Sequence, residues 1–206
     1  MNLEKALHIK PSLVQYLINE ENNIILGNEV RFGSHNYFAD LVSITDNQIT
    51  AYEIKSQKDD LRNYLEQLKN YSRVFDYVYL VVTENHFRKA IKDLPDPFGL
   101  ILISNQGQIS IIRKAKISSS ISKIELLYSM TIKHLKESVQ IKSNIIQNNL
   151  RASLTKKTIF EIKELYLLFL KNKLISRNIQ FYKEIGEGVH IEDVSILSIK
   201  SKGKVL

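Results

Sequence analysis

The chain has no cysteine, so it has no disulfide framework and no thiolate zinc site. Its longest apolar runs fall short of the ~18 residues that a membrane-spanning helix requires. The first residues, "MNLEKALHIKPS", lack the basic segment, apolar stretch and small-residue cleavage site of an export signal. Together these absences lead us to expect a cytoplasmic protein with no membrane partner. There is no Gly-rich phosphate loop, no Gly-x-Ser-x-Gly and no Cys/His pair, which argues against nucleotide hydrolysis and acyl transfer. The five histidines, at 8, 35, 86, 134 and 190, show no metal-ligand spacing. His35 alone falls near the side of interest.

At 206 residues the chain suffices for one domain with an extension. The net charge of +7 is unevenly spread: residues 1–112 carry 11 Lys and Arg against 14 Asp and Glu, and residues 113–206 carry 18 against 8. A basic half of this kind suits a polyanion such as nucleic acid. A Lys-rich solvated helix face would give the same count.

The pattern along the chain predicts an α/β protein. A helix with Pro11 in its first turn and a stripe of Leu13, Val14, Leu17 and Ile18 should end near Glu21. Three strand-like runs follow, "ILGNEVRF", "YFADLVSI" and "QITAYEIK", read as an antiparallel meander with "TDN" as the second turn. Ser56 and Asp59 resemble a capping box opening a helix to about Phe75, with Leu61, Leu65 and Leu68 buried. "DYVYLVVT" reads as a buried strand, "ENHFRKAIKDL" as a short helix, "GLILISN" as a strand, and "NQG" as a tight turn into "QISIIRKA". After residue 117 the period becomes helical, with capping boxes at Ser122/Glu125 and Thr158/Glu161. Residues 140–155 read as helix or linker, and the last thirty as a small hairpin or a mobile tail. We therefore divide the chain into a core, 1–117, and a basic, mainly helical extension, 118–206.

One constellation carries chemistry. On a strand, residues two apart share a face, so Glu53 and Lys55 point together while Tyr52 and Ile54 point away. A short turn lets the preceding strand bring Asp40 beside Glu53. Two converging carboxylates repel unless a cation lies between them, and Mg²⁺ is the natural ion for such hard oxygen donors. Lys55 would then orient an attacking water and balance charge on a phosphoryl oxygen. Glu-x-Lys alone is weak: 14 Glu and 22 Lys predict about 1.5 chance occurrences. The second copy, Glu161-Ile-Lys163, lies in a helical pattern where the two residues do not face each other.

Asp40, twelve residues, and Glu53-x-Lys55 resemble the signature of the PD-(D/E)XK nuclease superfamily. The segment "EIKSQKDDLRNYLEQLKNYSRVFDYVYLVV" is similar to small bacterial members such as MmcB-like DNA-repair proteins, and Gln67 and Tyr71 stand at the Gln-x-x-x-Tyr positions of RecB-like nucleases. The resemblance spans roughly residues 11–105. It implies a restriction-endonuclease-like α-β-β-β-α-β core with a mixed sheet, and a metal-dependent nuclease acting on DNA. Mg²⁺ or Mn²⁺ would be held by Asp40, Glu53, the Ile54 carbonyl and Glu29, with Glu20 and Glu21 as rivals for the third acid. Lys55, Gln67 and Tyr71 would complete the catalytic set. Phe38 departs from the Arg that relatives carry two residues before the Asp. The alternative is a non-catalytic nucleic-acid-binding or protein-inhibiting module that keeps this fold. A homodimer is among the assemblies left open.

Overall fold

The computed structural model describes residues 3–140 and 147–198. A six-stranded mixed sheet runs in the order β1 (Ile25–Phe32), β2 (Tyr37–Thr45), β3 (Gln48–Lys55), β4 (Tyr77–Thr83), β5 (Gly99–Ile103) and β6 (Ile109–Arg113). The first three strands are antiparallel, β3–β4 and β4–β5 are parallel, and β5–β6 is antiparallel. A parallel pair needs a crossover. Helix α2 (Tyr64–Ser72) supplies it between β3 and β4, and α3 (Glu84–Asp93) between β4 and β5. The turn between β2 and β3 puts Asp46 and Asn47 at positive φ, the conformation a two-residue hairpin loop demands.

Strand alternation divides the core between the two faces of the sheet. On one face α1 (Ala6–Glu20) and α8 (Ile191–Ile196) cover Leu26, Leu41, Tyr52, Ile54 and Val81. On the other, α2, α4 (Lys123–Ser129), α6 (Gln147–Leu154) and α7 (Ile159–Glu184) pack with Val42, Ala51, Leu80, Val82 and Leu100. Residues from both sides of position 117 thus share one cluster, Leu126, Tyr166 and Leu174 lying with Val30 and Leu68. Helix α7 lies so close to β1 that a Cβ on Gly27 would meet Leu174 Cδ2 at 2.8 Å. Asn178 on α7 receives the Leu26 N–H and donates to its carbonyl, both at 2.8 Å, which satisfies backbone groups on the exposed edge of the sheet.

Several elements depart from their sequence expectation. Helix α1 starts at Ala6, so Pro11 lies inside it rather than in its first turn. Ser56 opens no helix: Asp59 Oδ2 accepts from both its N–H (2.7 Å) and its hydroxyl (2.6 Å), a local closure that competes with helical bonding, and α2 begins only at Tyr64. Ser122 makes no capping bond, because Glu125 is drawn instead to Ser34 and Arg73. The helix expected there breaks at extended Met130, and Thr131 caps a second one, α5 (Ile132–Ser138). The Thr158/Glu161 box is present in full. Leu168, apolar though it is, is exposed on α7. Residues 147–154 are helical, while 141–146 lie outside the described residues. Near the C-terminus α8 takes the place of the first half of the expected hairpin, and 199–206 lie outside the described residues. Among the described residues no helix is long and apolar enough to cross a membrane.

Candidate functional site

The carboxyl end of β3, where it turns from antiparallel β2 to parallel β4, gathers five of the residues singled out from the sequence. Asp40 on β2 sits with Glu53 and Lys55 on β3 and with Gln67 and Tyr71 on α2. Glu53 is buried, and both of its oxygens are engaged: Oε1 pairs with Lys55 Nζ at 2.8 Å and Oε2 lies 2.6 Å from the Tyr71 hydroxyl. Lys55 Nζ also donates to Gln67 Oε1 at 2.8 Å. Tyr71 O–H lies 3.0 Å from the Phe38 carbonyl too, but a phenol has one proton, and the shorter contact to a carboxylate takes it. Burial, and then the charges of Glu53 and Asp40, hold the Tyr71 phenol far above its ordinary range, so it stays a donor.

Asp40 is the strained member. Its Oδ2 accepts from the Ile54 N–H at 2.9 Å, yet burial and, next, the charge of Glu53 push its carboxyl up to about 6. Lys10 and Lys55 pull the other way without cancelling those effects. Lys10 was not picked out from the sequence. It lies three and four residues before Leu13 and Val14, on the buried stripe of α1, and only 3% of it is exposed. A lysine at that position was the available signal. Its ammonium donates to Asn28 Oδ1 at 2.7 Å and stands 3.6 Å from Glu29.

The expected third acid does not join the pair. Glu29 has a positive φ of 52° and its side chain is 65% exposed, so the strand irregularity turns its carboxylate to solvent, where Lys10 meets it. Glu20 and Glu21 line a different groove on the α1 face. Among the described residues no three His, Asp or Glu side chains gather to hold a metal ion. His35 bonds Ser34 and packs on Tyr37, outside the set. Of the expected ligands, Asp40 and Glu53 remain with the Ile54 main chain between them. A divalent ion such as Mg²⁺ is commonly held by one or two carboxylates, with water and phosphate oxygens filling the rest. Glu53 already spends both oxygens on Lys55 and Tyr71 and Asp40 spends Oδ2 on the Ile54 N–H, so a cation there would have to take Asp40 Oδ1 and displace one of the Glu53 partners.

The basic half offers fewer free cations than its charge suggests. Lys157 pairs with Glu161 at 2.8 Å, Lys163 pairs with buried Asp76, and Lys171 donates to Asn47 at 2.6 Å. Lys173 lies over the Phe169 ring, 4.6 Å from its centre. Lys163 is therefore not plain surface charge: it joins α7 to the base of β4.

A family model described as Bacteriophage P4 protein cII matches residues 2–198. Protein cII of Enterobacteria phage P4 is 22% identical over 208 residues, covering 95% of this chain and 78% of the relative. No solved structure matches. These matches correct the resemblance drawn from the sequence. A signature of three residues and one helix is a local pattern, whereas the cII match runs the length of the chain and points away from the PD-(D/E)XK nuclease superfamily. The readings of a metal-dependent nuclease and of a DNA-repair protein fall with that assignment. By the extent of its match to the family model, the chain belongs to the bacteriophage P4 protein cII family.

Proposed function

We propose that this protein binds nucleic acid, with DNA as the first substrate to test, and that a divalent cation held by Asp40 and Glu53 bridges the protein to a backbone phosphate. The observation that carries the reading is the convergence of Asp40, on β2, with buried Glu53 and Lys55, on β3, where burial and the charge of Glu53 raise the Asp40 carboxyl. Lys55, held by Glu53 and Gln67, would add a positive charge beside the cation if it exchanged Glu53 for a phosphate. Mg²⁺ or Mn²⁺ would supply a charge bridge between the carboxylates and a phosphate oxygen. The observed order α1-β1-β2-β3-α2-β4 supports a restriction-endonuclease-like core as a likeness of fold alone. The lack of cysteine agrees with a reducing compartment such as the cytoplasm.

Fluorescence anisotropy with labelled duplex and single-stranded DNA, in Mg²⁺ and in EDTA, tests this reading. Affinity should fall about tenfold or more on chelation, and Asp40→Asn and Glu53→Gln should abolish the difference between the two buffers. Equal affinity with and without the cation in the wild type would overturn the proposal.

A second copy of the chain is the partner that α7 suits best. Leu168, Asn172, Ile175 and Ile179 recur at alternating spacings of four and three on the side away from the core, and Tyr182 continues the spacing at the boundary, where its hydroxyl donates to the Ile24 carbonyl at 3.1 Å. Leu168, Ile175, Ile179 and Tyr182 are each between 45% and 53% exposed. This spacing fits the seam of a two-helix coiled coil, in which a polar Asn at a core position would set register.

A further inference from the structure

A concavity of about 420 Å³ lies on the opposite face of the sheet from Asp40 and Glu53, between the end of α1 and strands β3, β4 and β6. Its walls are aromatic and acidic: Tyr16, Tyr52, Tyr77 and Tyr79 stand with Glu20 and Glu21. Tyr52 and Tyr79 stack at 5.7 Å with their planes 17° apart. Tyr79 lies flat against Gly99, where any Cβ would come within 2.3 Å of its ring. Tyr52 is anchored at its far end by a 3.1 Å hydrogen bond between its hydroxyl and Ser43. Two of the four rings are thus held in place before any ligand arrives.

The electrostatics of this groove run against the rest of the chain. The protein carries +7 overall, yet the groove's charged residues are Glu20, Glu21 and Asp46 against a single Lys114. After burial, the carboxylates of Glu20 and Glu21 are among the causes that raise the Tyr16 phenol, so the ring edges and the acids share one field. A phosphate would be repelled there. Aromatic faces and carboxylates together attract a cation that is large and weakly hydrated.

We propose that this groove is a binding site for an organic cation, an alkylammonium or guanidinium group whose charge faces Glu20 and Glu21 and whose carbon chain lies on the Tyr52–Tyr79 wall. The volume suits one such side chain or a segment of a linear polyamine. Free polyamine and an exposed Lys or Arg of a protein partner present the same chemistry, and the arms of the test separate them.

Calorimetric titration of the full chain with spermidine and with N-acetyl-arginine amide, against KCl of matched ionic strength, provides the test. At least one of the two cations should bind saturably. Preference for spermidine identifies a polyamine site, and preference for the arginine amide identifies a side-chain site. Glu20→Gln with Glu21→Gln, both exposed and free of core packing, should weaken binding at least fivefold. Tyr16→Leu should weaken it by about 2- to 30-fold, the range for one cation–π contact. Circular dichroism would verify that the variants fold. Heats no different from those of KCl, or unchanged affinity in the doubly substituted protein, would overturn the proposal.

Discussion

Replacing Asp40 by Asn removes a charge that the fold resists, and the consequence can be worked out with its sign. The carboxyl titrates at about 6 in the folded protein against an ordinary 3.8. Folded protein therefore holds this proton more tightly than unfolded protein, and stability falls as pH rises between those two values. Below about pH 3.8 the group is neutral in both states and costs nothing; above about 6 the full penalty applies. A shift of two units corresponds to about 3 kcal/mol. Asn keeps a carbonyl oxygen to accept the Ile54 N–H, so the bond at 2.9 Å has a replacement. Asp40→Asn should then be more stable than wild type by about 3 kcal/mol at pH 7.5, and equal to it near pH 3.5. With a urea slope of about 3 kcal/mol per molar, the midpoint moves up by about 1 M.

The same substitution should lose most of its advantage when Mg²⁺ is present. A ligand that binds only the folded state stabilises it by RT ln(1 + [L]/Kd), about 2.7 kcal/mol at one hundred times Kd. Wild type should gain that increment from millimolar Mg²⁺, and Asp40→Asn should not, so the two denaturation curves approach or cross. Urea denaturation at three pH values, each with and without Mg²⁺, measures all of this. An Asp40→Asn protein that is less stable than wild type at pH 7.5 would refute the electrostatic account of the pair. Equal Mg²⁺ responses in the two proteins would refute the cation site while leaving the repulsion standing.

Three further outcomes are expected. Tyr71→Phe removes the donor to Glu53 and leaves a buried oxygen unpartnered, so thermal unfolding should show a loss of about 1–3 kcal/mol; no loss would mean that water replaces the hydroxyl. Asn178→Leu strips partners from both the N–H and the carbonyl of Leu26 and should cost about 2–4 kcal/mol, with faster amide exchange at Leu26 as the local readout. On α7, Ile175→Asp with Ile179→Asp should turn a dimer into a monomer in sedimentation velocity without changing the circular dichroism spectrum; a wild type that sediments as a monomer at all concentrations would dispose of the coiled-coil seam.

Where neighbouring residues determine the outcome, the sequence is a good guide to this molecule. β1 and β3 match their predicted ends, because period-two alternation is bounded by Asn, Asp and Gly turns that few other conformations satisfy. The Thr158 box forms because both of its bonds lie within four residues. Ser122 and Glu125 present the same spelling, but Glu125 finds Ser34 at 2.8 Å and Arg73 at 3.2 Å, partners 91 and 52 residues away in sequence. No local pattern reports that competition. The pairing of Glu53 with Lys55 was legible for a similar reason, since strand spacing fixes which way each side chain points, whereas Gln67 and Tyr71 were picked out only through the family resemblance. Glu29 was not legible, because its place depends on a positive φ inside an otherwise regular strand.

The division at residue 117 shows how charge and packing can give different impressions of one chain. Counting charges makes the second half look like a separate basic body, and its lysines look available. In the fold those helices complete the sheet: Lys163 reaches buried Asp76, whose other oxygen accepts the Ile49 N–H at 2.9 Å, and Asn178 closes the edge at Leu26. A charge used in this way cannot also hold a phosphate without loosening α7 from β3 and β4. Under the proposed reading, nucleic acid draws its contacts from the Asp40 side rather than from Lys163, and Lys55 would there have to exchange Glu53 for a phosphate. The same helix shows why a match spread over residues 2–198 carries more weight than a three-residue signature. The half of the chain that the signature ignores is built into the core.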